Sequence, residues 1–167
     1  MKLSIVITTY NRPDALLLVL RSLESQSALP DEVIIADDGS KSNTQKLIND
    51  FQKKSNLNIK HSWQVDKGFR ASKSRNKAIA KSKGDYIILI DGDMILHNKF
   101  IQDHIDNAEQ GFFVQGSRVL LSKLKTEKVL MQKKIHFHFF SAGLENRKNT
   151  IHSKILSKIF SKKKNYL

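Results

Sequence analysis

The sequence predicts an α/β fold, a mostly parallel sheet with helices on both faces. Three observations predict it. Short apolar runs recur through the first two-thirds of the chain and alternate with stretches of helical periodicity. Three of the runs stop abruptly in polar or acidic residues: residues 3–7 in Thr8-Thr9-Tyr10-Asn11, residues 32–36 in Asp37-Asp38-Gly39-Ser40, and residues 86–90 in Asp91-Gly92-Asp93. In a parallel sheet such ends lie side by side, gathering Thr8, Tyr10, Asp37, Asp38, Asp91 and Asp93 on the rim where open α/β sheets bind ligands.

The elements follow in order. Residues 3–7 read as a buried strand. Asn11-Arg12-Pro13-Asp14 reads as a helix start, with proline early and an acid in the first turn, and Leu16, Leu17, Val19, Leu20 and Leu23 supply one apolar helical face. A strand over 32–36 precedes a helix over 44–53 that turns Leu47, Ile48 and Phe51 inward, and a third strand spans 59–64. The loop Asp66-Lys67-Gly68-Phe69-Arg70 leads into a helix from Ala71 to about Ser82, with Gly84 placed as its C-cap before the strand at Tyr86. Asn98 is placed to cap a helix bearing Phe100, Ile101, Ile105 and Ala108, and Phe112-Phe113-Val114-Gln115-Gly116 reads as a further short strand. Residues 123–134 read as helical. Ile151, Ile155, Leu156, Ile159 and Phe160 then share one face of a basic amphipathic helix, suited to a membrane surface or to packing on the rest of the protein.

A chain of 167 residues is long enough for one domain with a real core. Its 40% hydrophobic and 27% charged residues are ordinary for a globular protein. No apolar run approaches the roughly 20 residues of a membrane span, and the N-terminal run is too short for a signal peptide. The absence of cysteine excludes disulfides and thiolate metal sites and fits a cytoplasmic protein. The net charge of +13 is uneven: residues 123–167 hold 12 of the 29 Lys+Arg against only Glu127 and Glu145. Such a basic segment means a solvated surface, an anionic membrane or nucleic acid.

Two carboxylates one residue apart, Asp91 and Asp93, make poor core but a hard oxygen site for Mg²⁺ or Mn²⁺ with a phosphorylated ligand. Taken alone they read equally well as a solvated turn; three strand ends in register favour a shared ligand site. Tyr10 offers a stacking face for a base, or strand-end packing, and Asp38 an acceptor for a ring N–H.

Taken in order, Thr8-Thr9-Tyr10-Asn11-Arg12, Asp37-Asp38-Gly39-Ser40, Arg75-Asn76 and Asp91-Gly92-Asp93 resemble the family 2 glycosyltransferases with the GT-A fold, a Rossmann-like sheet. Gly68-Phe69-Arg70-Ala71 through Arg75-Asn76 looks like the branch of chondroitin-synthase-like and bacterial surface-polysaccharide transferases. The resemblance covers residues 1 to about 120, expected as a nucleotide-sugar-binding core, with 121–167 a basic, helical tail. It implies a hexosyltransferase that moves a sugar from a nucleotide-diphosphate donor, expected to be a UDP-sugar, to a saccharide or lipid-linked saccharide acceptor with inversion. It further implies Mn²⁺ or Mg²⁺, a role in polysaccharide or lipopolysaccharide synthesis, and a cytoplasmic site, peripheral on the inner face of an anionic membrane. By matching motif, Thr8 and Tyr10 line the base pocket, Asp38 bonds the uracil, and Arg75 lies near the diphosphate or base. Asp91 faces the ribose or metal, Asp93 is the principal metal ligand, and Asp66 and Arg70 border the donor site.

One departure concerns the general base. In relatives it is a carboxylate well after the paired aspartates, in a Gly-Trp-Gly-rich segment with Glu-Asp. Asp103, Asp106, Glu109, Glu127 and Glu145 follow Asp93 here, none in such a motif, and the only tryptophan is Trp63. No base is therefore assigned, and the chain is expected to stop before the acceptor half, binding donor with little turnover. His136, His138 and His152 are candidates for a third metal ligand or ordinary surface residues.

Two other classes compete. Phosphoryl-transfer domains also place aspartates at strand ends, but a dehalogenase-like site wants its pair on the first core strand, which here carries Thr-Thr-Tyr. Nucleic-acid binding rests on charge alone, with no recognition module and no lysines interleaved with aromatics on a sheet face, and no nucleic-acid partner is expected.

Overall fold

β1 (Leu3–Thr9), β2 (Glu32–Asp37), β3 (Ile59–Trp63) and β4 (Tyr86–Asp91) form one parallel sheet in the order β3-β2-β1-β4. The structure is a computed structural model and describes residues 1–153, so Ile155, Leu156, Ile159 and Phe160 of the expected amphipathic helix lie outside the described residues. The chain winds outward from β1 through α1 (Pro13–Glu24) to β2 and through α2 (Ser42–Gln52) to β3, then returns through α3 (Ala71–Ile79) to β4 on the other side of β1. The winding therefore reverses between β1 and β4, and the crevice beyond their carboxyl ends is where such sheets take ligands.

The pleat sorts each strand onto two faces. Ile5, Ile7, Val33, Ile35, Ile88 and Ile90 pack with Leu16, Val19, Leu20 and Leu23 of α1, Ile48 of α2 and Ile101 of α4 (Phe100–Asn107). Val6, Ile34 and Ala36 point the other way, onto Ala78 of α3. β1 and β2 are thus covered on both sides, which is why they read as continuous apolar runs rather than alternating ones. Truncating a fully buried side chain such as Leu16 or Ile34 to alanine should cost about 2–5 kcal/mol.

A buried acid pins the amino ends of the strands. Glu32 accepts from Ser4 Oγ at 2.6 Å and also from Lys60 Nζ and the Lys83 amide, joining β1, β2, β3 and the approach to β4. Burial pushes its carboxyl up, but these hydrogen bonds outweigh it and hold the group at about 2. Gly84 belongs to this cluster and not to a helix end. α3 closes at Ile79 with Ala80 as its C-cap, and Gly84 donates to Ser4 Oγ at 2.9 Å. A Cβ at 84 would stand 2.4 Å from that oxygen and 2.7 Å from the Ser4 nitrogen, so close approach to β1, rather than a left-handed turn, requires the glycine.

The chain divides into two compact units, Met1–Asp106 and Asn107–Leu167. In the second, β5 (Leu120–Leu121) pairs antiparallel with β6 (Leu144–Glu145), and between them runs α5 (Lys123–Gln132), whose amino end Ser122 caps. The strand expected over 112–116 is absent. The Phe112 amide bonds to the Glu109 carbonyl in a turn and Phe113 is exposed, so the run leaves the turn at 110–111 without strand geometry among the described residues. Among the described residues no helix is long and apolar enough to cross a membrane.

Candidate functional site

The rim read from the sequence is real, and the fold sorts it into two clusters. The first lies on the α3 side of β1 and β4. Thr8 pairs in register with Asp91, so the pleat presents both side chains to the same face. Arg75 reaches over from α3: its Nε donates to Thr8 Oγ1 at 3.2 Å and its Nη2 stands 3.6 Å from Asp91 Oδ1. The Asp91-Gly92-Asp93 turn folds tightly onto β1, the Gly92 amide donating to the Thr8 carbonyl at 2.8 Å. A Cβ at 92 would meet that oxygen at 2.8 Å and Thr9 Cβ at 3.1 Å, so the spacer between the two acids must be glycine. Asp91 and Asp93 are both exposed.

The second cluster joins the end of β1 to the β3–α3 loop. Tyr10, half exposed, donates its hydroxyl to Asp66 Oδ2 at 2.9 Å, and that hydrogen bond to the carboxylate holds its phenol above the ordinary value. Asp66 Oδ1 accepts from the Gly68 amide at 3.1 Å. Its backbone lies against Gly39, which has φ +97° and where a Cβ would come within 2.6 Å of the Asp66 chain. Asp38 is buried. Its Oδ1 accepts from Gln64 Nε2 at 2.6 Å and its Oδ2 from the Arg70 amide at 2.7 Å. Tyr10, Asp38, Gly68 and Phe69 together line a small cavity of about 100 Å³.

The side chains of Asp37, on the rim, and of Arg70, in the β3–α3 loop, are engaged within the protein. Asp37 is fully buried and accepts from the Ser40 amide at 2.7 Å and pairs with His61 Nε2 at 2.9 Å. Burial raises its carboxyl, but the bonds from His61 and Ser40 prevail and hold it below the usual range. It shapes the turn that delivers Asp38. Arg70 folds its guanidinium back, Nη2 donating to the Val65 carbonyl, and serves Asp38 through its backbone amide. Gln64 has no role in the sequence reading, and Asn11 enters it only within the Thr8–Arg12 motif and a helix start. Asn11 adopts φ 50°, donates its amide to Ser40 Oγ at 2.8 Å and accepts from the Lys41 amide at 2.9 Å, tying β1 to the Asp38 loop. Asparagine is the non-glycine residue that best tolerates that conformation, and this is the one signal that could have marked it.

The donor set fits a hard divalent cation. Two exposed carboxylates held one residue apart at a strand end offer oxygen ligands and leave coordination positions for phosphate oxygens and water.

The model of glycosyl transferase family 2 matches residues 4–164. The chain belongs to glycosyl transferase family 2. It is 39% identical over 105 residues to chondroitin synthase of Escherichia coli, covering 62% of this chain and 15% of the synthase. To hyaluronan synthase of Pasteurella multocida it is 38% identical over 104 residues, covering 62% of this chain and 10% of that protein. The crystal structure of S. aureus TarS in complex with UDP-GlcNAc superposes with a TM-score of 0.55 at 27% identity, over 64% of this chain and 30% of that one. The chain therefore spans a small part of the length of these family 2 relatives, and the sheet described above is the GT-A sheet.

Proposed function

We propose that this chain binds a nucleotide-diphosphate sugar, in the first instance a UDP-sugar, and transfers its sugar to a saccharide or lipid-linked saccharide acceptor with inversion. The observation that carries the reading is the placement of Asp91-Gly92-Asp93 beside Thr8 at the point where the winding reverses, with Arg75 across it. The UDP-GlcNAc held by TarS supports the choice of donor. Tyr10 would stack on the uracil, Asp38 would accept its ring N–H, and Arg75 would meet the diphosphate. Asp91 and Asp93 would hold Mg²⁺ or Mn²⁺, which when bound supplies positive charge against the negative charge that develops on the leaving diphosphate. The acceptor hydroxyl attacks the anomeric carbon, the bond to the diphosphate breaks, and the hydroxyl proton passes to a base to which no residue is assigned here.

Calorimetric titration of UDP, with Mn²⁺ and again with EDTA, tests the reading on the wild-type chain and on Asp93→Ala. Binding should weaken by at least about tenfold on either change, since phosphate charge is then left uncompensated. Affinity that survives both would remove the metal assignment, and absence of UDP binding would remove the donor assignment.

A cytoplasmic location against an anionic membrane belongs to the same proposal. The support is the basic segment from Lys123 onward, in which α5 exposes Leu124 and Met131 next to its lysines. Each cation near an anionic surface contributes on the order of 1 kcal/mol. Co-sedimentation with anionic vesicles should be strong at low salt and collapse at high salt, and equal binding to neutral vesicles would discard the idea.

A further inference from the structure

The turn that carries Asp93 is anchored on both sides. Behind it, the Gly92 amide bonds to the Thr8 carbonyl of β1 at 2.8 Å. Ahead of it, only Met94 and Ile95 separate Asp93 from Leu96, whose amide donates to Ser22 Oγ of α1 at 3.1 Å. Ser22 is 2% exposed, and its own hydroxyl donates to the Val19 carbonyl at 2.7 Å, which leaves the oxygen free to accept.

Gln26, just past the end of α1, doubles this clamp. Its Nε2 donates to the Ser22 carbonyl at 2.9 Å and to the His97 carbonyl at 2.8 Å, while its Oε1 accepts from the Ile101 amide at 3.1 Å. Two carbonyls on one side and an N–H on the other fix which way the amide faces. The Ile101 amide belongs to the first turn of α4, one of the donors a helix leaves without an internal partner. The Ser27 amide adds a bond to the Asn98 carbonyl at 2.9 Å. A single buried side chain thus closes the end of α1, holds the connection over 94–99 and caps α4.

The two acids of the turn depend on this clamp unequally. Asp91 is paired with Thr8 in the β4 ladder, so the sheet sets its place. Asp93 lies beyond the strand, and its carboxylate follows a backbone held by Gly92 behind and Leu96 ahead. Without the Gln26 amide, two carbonyls and one N–H would be left unpaired in a buried place, and the segment could satisfy them only by shifting toward water.

We propose that Gln26 and Ser22 are positioning residues for the metal site, setting from the buried end of α1 where Asp93 stands. They act through the 94–99 connection rather than by contact with the ligand. The inference rests on the reading of Asp91 and Asp93 as carboxylates of a divalent cation bound with the donor diphosphate.

The test measures Mn²⁺ affinity of the UDP-loaded whole chain, from the electron paramagnetic resonance signal of free Mn²⁺, and UDP affinity in EDTA by calorimetry. The variants are Gln26→Met, which keeps length but removes both ends of the amide, and Ser22→Ala, which serves if the methionine variant folds poorly. Mn²⁺ affinity should fall about tenfold in each, the low end for groups that orient metal ligands, with UDP affinity in EDTA kept within about threefold. Ile48→Val, a core truncation under α2, should lower the melting temperature and leave Mn²⁺ affinity unchanged. Unchanged Mn²⁺ affinity in folded Gln26→Met and Ser22→Ala would overturn the proposal. So would equal losses with and without Mn²⁺, or the same loss of Mn²⁺ affinity in Ile48→Val, since either means general loosening. A wild-type chain whose UDP binding ignores Mn²⁺ would overturn the metal reading itself, an outcome distinct from a wild type that uses Mn²⁺ and variants that use it equally well.

Discussion

Arg75 Nη2 stands 3.6 Å from Asp91 Oδ1, too far for a hydrogen bond, while Arg75 Nε is anchored 3.2 Å from Thr8 Oγ1. The guanidinium is thus held by one edge, with its charge close to an acid it does not grip. In the proposed function that charge is what meets the diphosphate.

Arg75→Ala should therefore weaken UDP binding by roughly ten- to a hundredfold, the worth of a hydrogen bond to a charged group. Uridine, which has no diphosphate, should lose little. Arg75→Lys should recover part of the loss, since a point charge remains without the fork. An equal loss for uridine and UDP would move Arg75 away from the phosphates.

Tyr10 bonds Asp66, and in the proposed function its ring also stacks on the base; substitution can separate the two. Tyr10→Phe keeps the ring but removes the bond to Asp66, and UDP affinity should stay within about threefold of wild type if stacking dominates. Tyr10→Ala should cost about 1–3 kcal/mol, the usual worth of a base on an aromatic platform. A phenylalanine variant as weak as the alanine one would show that the tie to Asp66, and through it the position of the β3–α3 loop, matters more than the ring.

Gly92→Ala should destabilise the chain by about 1–3 kcal/mol, because a methyl group there meets the Thr8 carbonyl at 2.8 Å and the turn must shift off β1. Metal-dependent binding should fall further than the melting temperature alone explains, since both carboxylates ride on that turn. Full Mn²⁺-dependent UDP affinity in a folded variant would show that the turn's position does not matter.

The Glu32 cluster predicts an acid-sensitive fold. Its carboxyl lies at about 2 in the folded protein against an ordinary 4.5, so the unfolded chain takes up the proton first. The stabilisation is therefore whole above about pH 4.5 and is lost as the pH falls through about 2. Glu32→Gln should be less stable than wild type near neutral pH, with the gap narrowing toward about pH 3 in denaturant titrations. A gap that does not change with pH would show that Glu32 contributes no such linkage.

Much of this was legible in the sequence. Four parallel strands and the five described α-helices follow from the alternation of apolar runs with helical faces, because burying those runs is what drives the chain into layers. The rim of polar residues at the strand ends was legible for the same reason: a buried strand can place Asp91, Asp38 and Thr8 only where it emerges. Phe112-Phe113-Val114-Gln115-Gly116 misled, since a short apolar run fits strand, turn or irregular chain alike and composition does not choose between them.

By itself, then, the sequence determined the layers and the kinds of group that the strand ends present. Tertiary structure alone decided which of those groups meet. Asp37 and Asp38 are neighbours in the chain, yet one is buried against His61 and Ser40 while the other is clamped by Gln64 and Arg70 at a cavity wall. Gly84 reads as a helix cap until Ser4, 80 residues away, is seen to lie against it. The physical reason is common to both cases. Periodicity records which side of an element faces the core, whereas a hydrogen bond over about 3 Å depends on where distant segments come to rest.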